Sequence, residues 1–334
     1  CYNGFYNTNE RGGIALFGKL MNNFYYGKSG KGDFREEDLP KNRWQLFWEM
    51  LRIRFSALLR LNLMYMLCWL PAMVVVMIGY MSLLTQLSAI TTETAEAAAS
   101  LSELWNGISN TTLLLLVPCI AITGPFTAGI AYVTRNWARD EHAFIWSDFK
   151  DAVKENWKQA LPVSIITGIA PMLLYICWNF YGQMAKSSAI MVVPQVLVLM
   201  LAIIWALAVT YMYPLMVTYK LSFRNLLRNA LLLAIARLPQ SIGIRLLHCL
   251  PVIIALLVAF FLNPLWAGMG LFLYYLLIGF GLSRFVTASF TNGVFDKYIN
   301  SRMEGVETDR GLFKGDPDDE ADDDDEPADD AQKQ

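Results

Sequence analysis

The chain has 334 residues, of which 55% are hydrophobic and only 17% are charged, with a formal net charge of −2. A soluble protein carries about 25% charged residues, and here the charges cluster between long stretches that have none. This pattern excludes an ordinary soluble domain and predicts an all-α polytopic membrane protein whose main partner is the lipid bilayer. Nucleic-acid binding is not expected, because membrane topology accounts for the basic residues.

Residues 1–60 are predicted to form a cytoplasmic N-terminal segment. Residues 1–42 are mostly polar and glycine-rich, and Pro40 marks a helix start. In residues 43–60 apolar side chains recur at helical spacing among arginines, namely at Trp44, Phe47, Leu51, Phe55, Leu58 and Leu59. This pattern predicts a basic amphipathic helix that lies along the inner membrane surface.

Six stretches each supply the roughly 20 predominantly apolar residues that cross a hydrocarbon core about 30 Å thick. They define a predicted transmembrane helical domain over residues 61–290. The predicted spans are Leu61–Leu84, Thr111–Val133, Ala160–Tyr181, Ile190–Tyr213, Ser241–Leu262 and Leu265–Phe285.

The distribution of lysine and arginine predicts the orientation of these spans. Successive flanks hold ten cations in 1–60, none in 85–110, five in 134–159, one in 182–189, four in 214–240, none in 263–264 and five after Phe285. Because basic flanks stay in the cytoplasm, both termini are predicted to be cytoplasmic.

Residues 291–334 are predicted to be a cytoplasmic acidic tail. Residues 305–334 hold 13 acidic and 3 basic residues, including the run Asp322–Asp325. Such a composition cannot bury enough apolar surface to fold, so we expect the tail to be disordered.

Several short motifs follow one another along the chain, namely Gly4–Thr8, Leu61–Pro71, Thr123–Gly129, Tyr132–Arg135, Arg139–Glu141 and Phe149–Ala160. Together they resemble the YesL family of bacterial membrane proteins. The resemblance covers most of residues 1–300 and is densest at 120–160. It implies a multi-span protein of the bacterial cytoplasmic (inner) membrane, often associated with carbohydrate-uptake genes, and it implies no established reaction.

The second and third spans carry helix-breaking motifs that form a candidate substrate site. Thr123-Gly124-Pro125 lies near the middle of the second span, and Thr167-Gly168 with Pro171 repeats the theme in the third. Proline removes a backbone donor and clashes with the preceding turn, so both helices are predicted to kink or break. Transporters place their substrates at such breaks. The alternative is a packing kink at which glycine and threonine allow close helix contact.

His248 is the other candidate substrate-binding residue. It lies about two turns into the fifth span, where an ionisable group is a functional hypothesis by default. The alternative is a neutral histidine that is hydrogen-bonded to a neighbouring helix. Arg245 and Arg284 fall near the inner span ends, where we expect them to extend toward the surface.

The loop after the second span is a candidate docking site for a cytoplasmic partner. It concentrates the charged residues Arg135, Arg139, Asp140 and Glu141. The alternative is a solvated connection that only sets topology.

We find no motif typical of a nucleophile, a metal cluster or a cofactor site in the sequence, so we expect no enzymatic activity and no cofactor. Two functions remain. The first is an accessory or assembly component that works with transport-system proteins in solute uptake, with carbohydrate as the implied solute. The second is a transporter or channel that uses the broken helices at Gly124-Pro125 and Gly168–Pro171.

Overall fold

The computed structural model describes residues 39–89 and 95–313, with side chains described for 39–86 and 101–313. Every regular element within these ranges is helical, so the predicted all-α class is confirmed. The helices are α1 (Arg43–Ala89), α2 (Ala95–Trp137), α3 (Ser147–Ala185), α4 (Val192–Thr218), α5 (Phe223–Ala236), α6 (Leu238–Phe261), α7 (Pro264–Tyr274) and α8 (Phe280–Tyr298). The predicted polar segment before residue 39 and the acidic tail after residue 313 lie outside the described residues.

Six helical segments are long and apolar enough to cross a membrane, and each matches one of the six predicted spans. Their outer faces carry large apolar side chains, of which Phe260 is 82% and Leu256 65% exposed. Soluble proteins rarely expose an apolar surface of this extent to water. The chain is therefore a polytopic α-helical membrane protein, with lipid as the solvent for these faces.

The basic segment 43–60 is helical as predicted, but it is the first part of α1. Helix α1 runs for 47 residues from Arg43 through the first span. Leu46, Met50 and Leu58 form its buried side, whereas Trp44 is 67% exposed. This segment continues directly into the first span, because no glycine or proline interrupts the helix before the span.

Helix α5 is the amphipathic helix that does stand alone. The Ser222 side chain caps its start by accepting a hydrogen bond from the Asn225 amide. One face buries Leu226 and Ala230 against the core, and exposed arginines lie on the other.

Helices α2 and α3 both continue across their prolines. Pro118 and Pro125 lie inside α2, and Pro162 and Pro171 lie inside α3. Of the predicted kink or break, a break is therefore excluded in both helices. At Pro125 a side chain of the neighbouring helix replaces the hydrogen bond that proline removes, as the contacts below show.

The sixth span contains an irregularity that the sequence did not predict. A π-helical turn, Tyr275–Gly279, joins α7 to α8. The buried Asn62 amide of α1 donates to the carbonyls of Tyr275 (3.2 Å) and Leu276 (2.9 Å), and its oxygen accepts from the Gly281 amide (2.8 Å). Asn62 thus supplies partners for backbone groups in and beside the π-turn.

The first and last crossings meet at one end of the helical unit. Arg43, which opens α1, forms a salt bridge of 2.5 Å with Asp296 near the end of α8. At the other end of the first span, the Tyr80 hydroxyl donates to the Pro264 carbonyl at 2.5 Å. The start of α1 and the end of α8 lie at the same end of the bundle, as an even number of crossings requires. The end that holds Arg43 and Asp296 is called the charged end below.

A large buried cluster lies toward this charged end. It joins α4 to α5 and α8 through residues that include Tyr211, Leu215, Leu226 and Phe295. The Tyr211 hydroxyl also pairs with the Ser241 hydroxyl of α6 at 2.7 Å. The helices are therefore held together mainly near their charged ends, while α6 exposes much of its length.

Candidate functional site

The Thr123-Gly124-Pro125 motif lies at a close contact between α2 and α3. A Cβ atom at Gly124 would stand 2.6 Å from the Ala160 carbonyl oxygen and would overlap the Ser164 hydroxyl. Gly168 makes a comparable contact further along the hairpin, where a Cβ atom would lie 3.0 Å from the Val117 carbonyl oxygen. The two glycines therefore bring the backbones together, as small residues do in pairs of membrane helices.

Ser164 satisfies the backbone group that Pro125 leaves free. In a regular helix the Ala121 carbonyl would accept a hydrogen bond from residue 125, which as proline has no N–H. The Ser164 Oγ donates to this carbonyl at 2.7 Å. The freed acceptor is thus paired with protein, and the motif has the character of a packing contact.

The threonines of this candidate site also have partners within the protein. Thr123 and Thr167 donate to the carbonyls of Ile120 (2.8 Å) and Val163 (2.7 Å) in their own helices. Thr167 Oγ1 additionally accepts from the Trp205 indole at 3.2 Å. Thr167 therefore joins α3 to α4, whereas the Thr123 hydroxyl is paired within α2.

His248 lies elsewhere, at the contact of α6 with α8. Its Nε2 is 3.0 Å from the Ser283 carbonyl oxygen and 3.2 Å from the Thr287 hydroxyl. The side chain also lines an apolar groove between α6 and the α7–α8 segment. The structure therefore does not bring His248 together with the α2–α3 motifs, and the predicted substrate-binding residues divide into two separate places.

Arg245 was predicted to extend toward the membrane surface, but its side chain is directed at α4. Its Nη2 donates to the Thr210 hydroxyl at 2.7 Å and to the Ala206 carbonyl, both on α4. The guanidinium of Arg284 lies over the ring of Tyr213, with Cζ 5.6 Å from the centroid. Both arginines are therefore turned toward α4, where polar and aromatic partners compensate for burial.

Two arginines of the candidate docking loop are directed into the protein. Arg135 donates to the Val217 carbonyl at 2.6 Å and to Asn136 Oδ1 at 2.6 and 2.9 Å. Arg139 is partly buried, and its Nη2 has no hydrogen-bond partner in the described part of the chain. These two side chains thus position the loop.

The carboxylates of the loop differ in their surroundings. Glu141 Oε1 accepts from Arg310 at 2.7 Å, which ties the loop to the segment after α8. Asp140 is exposed and adopts a positive φ of 57° at the tip of the turn. Of the four predicted docking residues, Asp140 is the one presented to solvent.

Asp296 is the centre of a polar network that the sequence analysis missed. Its carboxylate accepts from Arg43 at 2.5 Å and from the Asn300 amide at 2.5 Å. Asn300 in turn accepts from the Tyr219 hydroxyl at 2.7 Å. The signal was available, since Asp296 is the first carboxylate after Glu155 and follows Val294 and Phe295 in an apolar run.

Burial sets the electrostatics around this network. It lowers the pKa of Arg139, against which the charges of Asp296 and Glu141 act. Burial also raises the pKa of Tyr219 to about 12, with the positive charge of Arg139 opposing the shift. Tyr219 is therefore a neutral donor at physiological pH, and the network is a structural one.

The described residues contain no group of three or more His, Cys, Asp or Glu side chains arranged to hold a metal ion. Asp148, Asp151 and Glu155 share a helical segment, but no histidine accompanies them.

The fold and these contacts define the class of the protein, a six-span α-helical membrane protein with a closed polar network at one end. A family described as "Protein of unknown function, DUF624" matches residues 99–178, which cover most of the α2–α3 hairpin. This match overlaps the stretch in which the family motifs are densest. No curated protein and no solved structure matches the chain significantly.

Proposed function

We propose that this chain is a non-enzymatic component of a bacterial solute-uptake system, and that it acts by assembling with transport proteins in the cytoplasmic membrane. The resemblance to the YesL family supports a link to carbohydrate uptake. The proposed orientation has both termini in the cytoplasm, with the charged end on that side. The cation-rich flanks support this orientation, and the contact of Arg43 with Asp296 supports a common side for the start of α1 and the end of α8.

One observation favours assembly over transport by this chain alone. The carbonyl that Pro125 frees is taken up by Ser164, and Gly124 is closed against α3. Solute sites in broken helices need unpaired backbone groups that line a wet cavity. The motif around Pro125 offers packed side chains instead, which supports assembly over the transporter alternative.

The tip of the α2–α3 loop is the surface we assign to the partner. Arg135 and Glu141 fix the loop from within, while Asp140 and Phe144 are exposed, the latter at 63%. An acidic side chain beside an aromatic one on a fixed turn suits recognition by a basic, partly apolar surface.

Carbohydrate uptake in cells tests the proposal. In a strain that lacks this chain, uptake across a panel of radiolabelled mono- and disaccharides should fall for at least one sugar. The full-length chain should restore it, and the variant Asp140→Lys/Phe144→Ser should not. The matched variant Glu103→Lys/Trp105→Ser changes the same residue types on α2, outside the loop, and should restore uptake. Uptake that is unchanged by loss of the chain would refute the proposal.

Proteoliposomes that contain only this chain distinguish the second function. We expect sugar flux no greater than in protein-free vesicles. A flux that is abolished by Ser164→Ala or His248→Ala would instead establish the chain as the transporter.

A further inference from the structure

The stretch between Glu155 and Asp296 is unusual in its charge. Residues 156–295 contain eight lysines and arginines and no acidic residue. Two of these cations, Arg245 and Arg284, lie inside the predicted fifth and sixth spans, Ser241–Leu262 and Leu265–Phe285. Neither forms a salt bridge with a carboxylate of the described residues.

The two arginines, one on α6 and one on α8, both contact α4. Arg245 donates to Thr210 and Ala206, and Arg284 covers the ring of Tyr213. These three α4 residues are spaced by three and four positions and share one stripe of the helix. Arg284 is close enough for its charge to act on Arg245. The Nε of Arg245 is buried and has no hydrogen-bond partner among the described residues.

An apolar groove begins next to this cationic pair. It has a volume of about 480 Å³ and lies between α6 and the α7–α8 segment, with His248 and Ser283 at its polar end. The α6 side of the groove runs from His248 through Pro251 and Ala255 to Val258. With a rise of about 1.5 Å per residue this wall is about 15 Å long. The opposite wall runs from Trp266 near the start of α7 to Val286 in α8, so the groove follows most of the spanning segment.

The positive charges of Arg245 and Arg284 would be stabilised by a bound anion. Removing two positive charges from water without a counter-charge is costly, and an anion held between them offsets that cost. Basic pockets between transmembrane helices bind the headgroups of anionic lipids for this reason. Two cations within three positions of the groove-lining residues His248 and Ser283 match an amphiphile that has an acidic head and one apolar chain to bury.

We propose that Arg245 and Arg284 bind the phosphate of an anionic phospholipid in the leaflet at the charged end, and that one of its acyl chains occupies the groove between α6 and α7–α8. The guanidinium groups supply charge-assisted hydrogen bonds to the phosphate oxygens. The net negative charge of the lipid distinguishes it from zwitterionic lipids, whose ammonium group meets the same two arginines.

Lipid binding by the purified full-length protein tests the head of this site. Native mass spectrometry in neutral detergent, with phosphatidylglycerol and phosphatidylcholine as the added lipids, gives a dissociation constant for each. We expect phosphatidylglycerol to bind more tightly, and each of Arg245→Gln and Arg284→Gln to weaken it about fivefold. The matched pair Arg224→Gln and Arg228→Gln removes two exposed cations of α5 and should leave the affinity within about twofold.

The chain-binding part has its own variant, which remains informative if the arginine variants fail to fold. Gly270 lines the groove, and a Cβ atom there meets no atom within 4 Å, so Gly270→Phe should fill the groove without displacing the backbone. We expect it to abolish the preference for phosphatidylglycerol. Gly243 of α6 is equally open but is not among the groove-lining residues, and Gly243→Phe should leave that preference intact.

Several outcomes would overturn the proposal. One is equal affinity for the two lipids, and another is a loss with Arg224→Gln/Arg228→Gln as large as with the Arg245 and Arg284 variants. Displacement of the lipid by millimolar inorganic phosphate would identify a free-anion site instead. A two-chain mass that binds no added lipid would identify the groove as an interface between copies.

Discussion

At the scale of single residues, Asp296 joins parts of the chain that are remote in sequence. Arg43 lies 253 positions earlier, and its Nη2 donates to Asp296 Oδ2 at 2.5 Å. The Asp296 side chain is only 9% exposed. The Asp309 amide also donates to this carboxylate at 3.2 Å. A buried carboxylate with several donors is costly to replace, because each donor is left without its acceptor.

We therefore predict that Asp296→Asn destabilises the folded protein by about 2 kcal/mol. This value is smaller than that for a fully buried pair, because Arg43 is one-third exposed and keeps Asp309 as a partner. Unfolding in mixed micelles, followed by tryptophan fluorescence, measures the change. The control Glu307→Gln removes a carboxylate that is 71% exposed, and it should cost less than about 0.5 kcal/mol. Equal effects of the two substitutions would contradict the central role of Asp296.

Ser164 is the second residue with a distinct energetic role. Ser164→Ala leaves the Ala121 carbonyl without the donor that replaces the missing Pro125 N–H. We expect a loss of about 1 kcal/mol, the size of an interhelical hydrogen bond in a membrane protein. The matched Ser187→Ala removes an exposed hydroxyl that bonds only within its own turn, and it should be neutral in the same unfolding assay.

At the scale of elements, the α2–α3 pair depends on how closely its backbones approach. Gly124→Ala would place a methyl group against Ala160 and Ser164 and force the helices apart. We predict a destabilisation of about 1–3 kcal/mol from overpacking. Gly107 lies on the same helix with open space around it, so Gly107→Ala should stabilise α2 slightly through helix propensity. A neutral Gly124→Ala would show that the contact is looser than described.

The π-turn between α7 and α8 makes a different prediction, one that is local. Asn62→Leu removes three hydrogen bonds to Tyr275, Leu276 and Gly281. Amide hydrogen exchange around residues 275–281 should accelerate at least about tenfold, since local opening then costs about 1.4 kcal/mol less. Asn156→Leu removes an amide that bonds only to its own helix, and exchange at the π-turn should not respond to it.

At the scale of the whole molecule, six crossings place the loop at Ser187 opposite to Ser301. Both serines are exposed. In a variant without native cysteines, Ser187→Cys should react with a membrane-impermeant maleimide in intact cells. Ser301→Cys should react only after the membrane is opened. Labelling of both from the outside would contradict the three crossings that separate the two serines.

The number and type of elements could be predicted from the sequence because the signal is local. Twenty apolar residues in a row define a span wherever they occur, so all six spans were found. The helices that contain them extend further, from Arg43 before the first span to Arg302 after the sixth. The effect of Pro125 could not be predicted in the same way. Whether a proline breaks a helix depends on a donor from another helix, and Ser164 is 39 positions away in the sequence.

The functional residues were predicted less well, for the same reason. Arg245 and Arg139 resemble ordinary flanking cations in the sequence, yet Arg245 is turned inward toward Thr210 of α4 and Arg139 is partly buried. Asp140 alone kept the exposure that the docking prediction required of it. Exposure is set by packing between elements, which a linear pattern of charge does not record.

The bond between Arg43 and Asp296 has a consequence for biogenesis. Helix α1 enters the membrane while residue 296 is still to be synthesised, so this bond forms only after the sixth crossing is inserted. A nascent chain, or one truncated before α8, has an arginine at the start of α1 without that counter-ion. The salt bridge between Arg43 and Asp296 is therefore among the last contacts of the fold to form, and it forms only when all six helices are inserted.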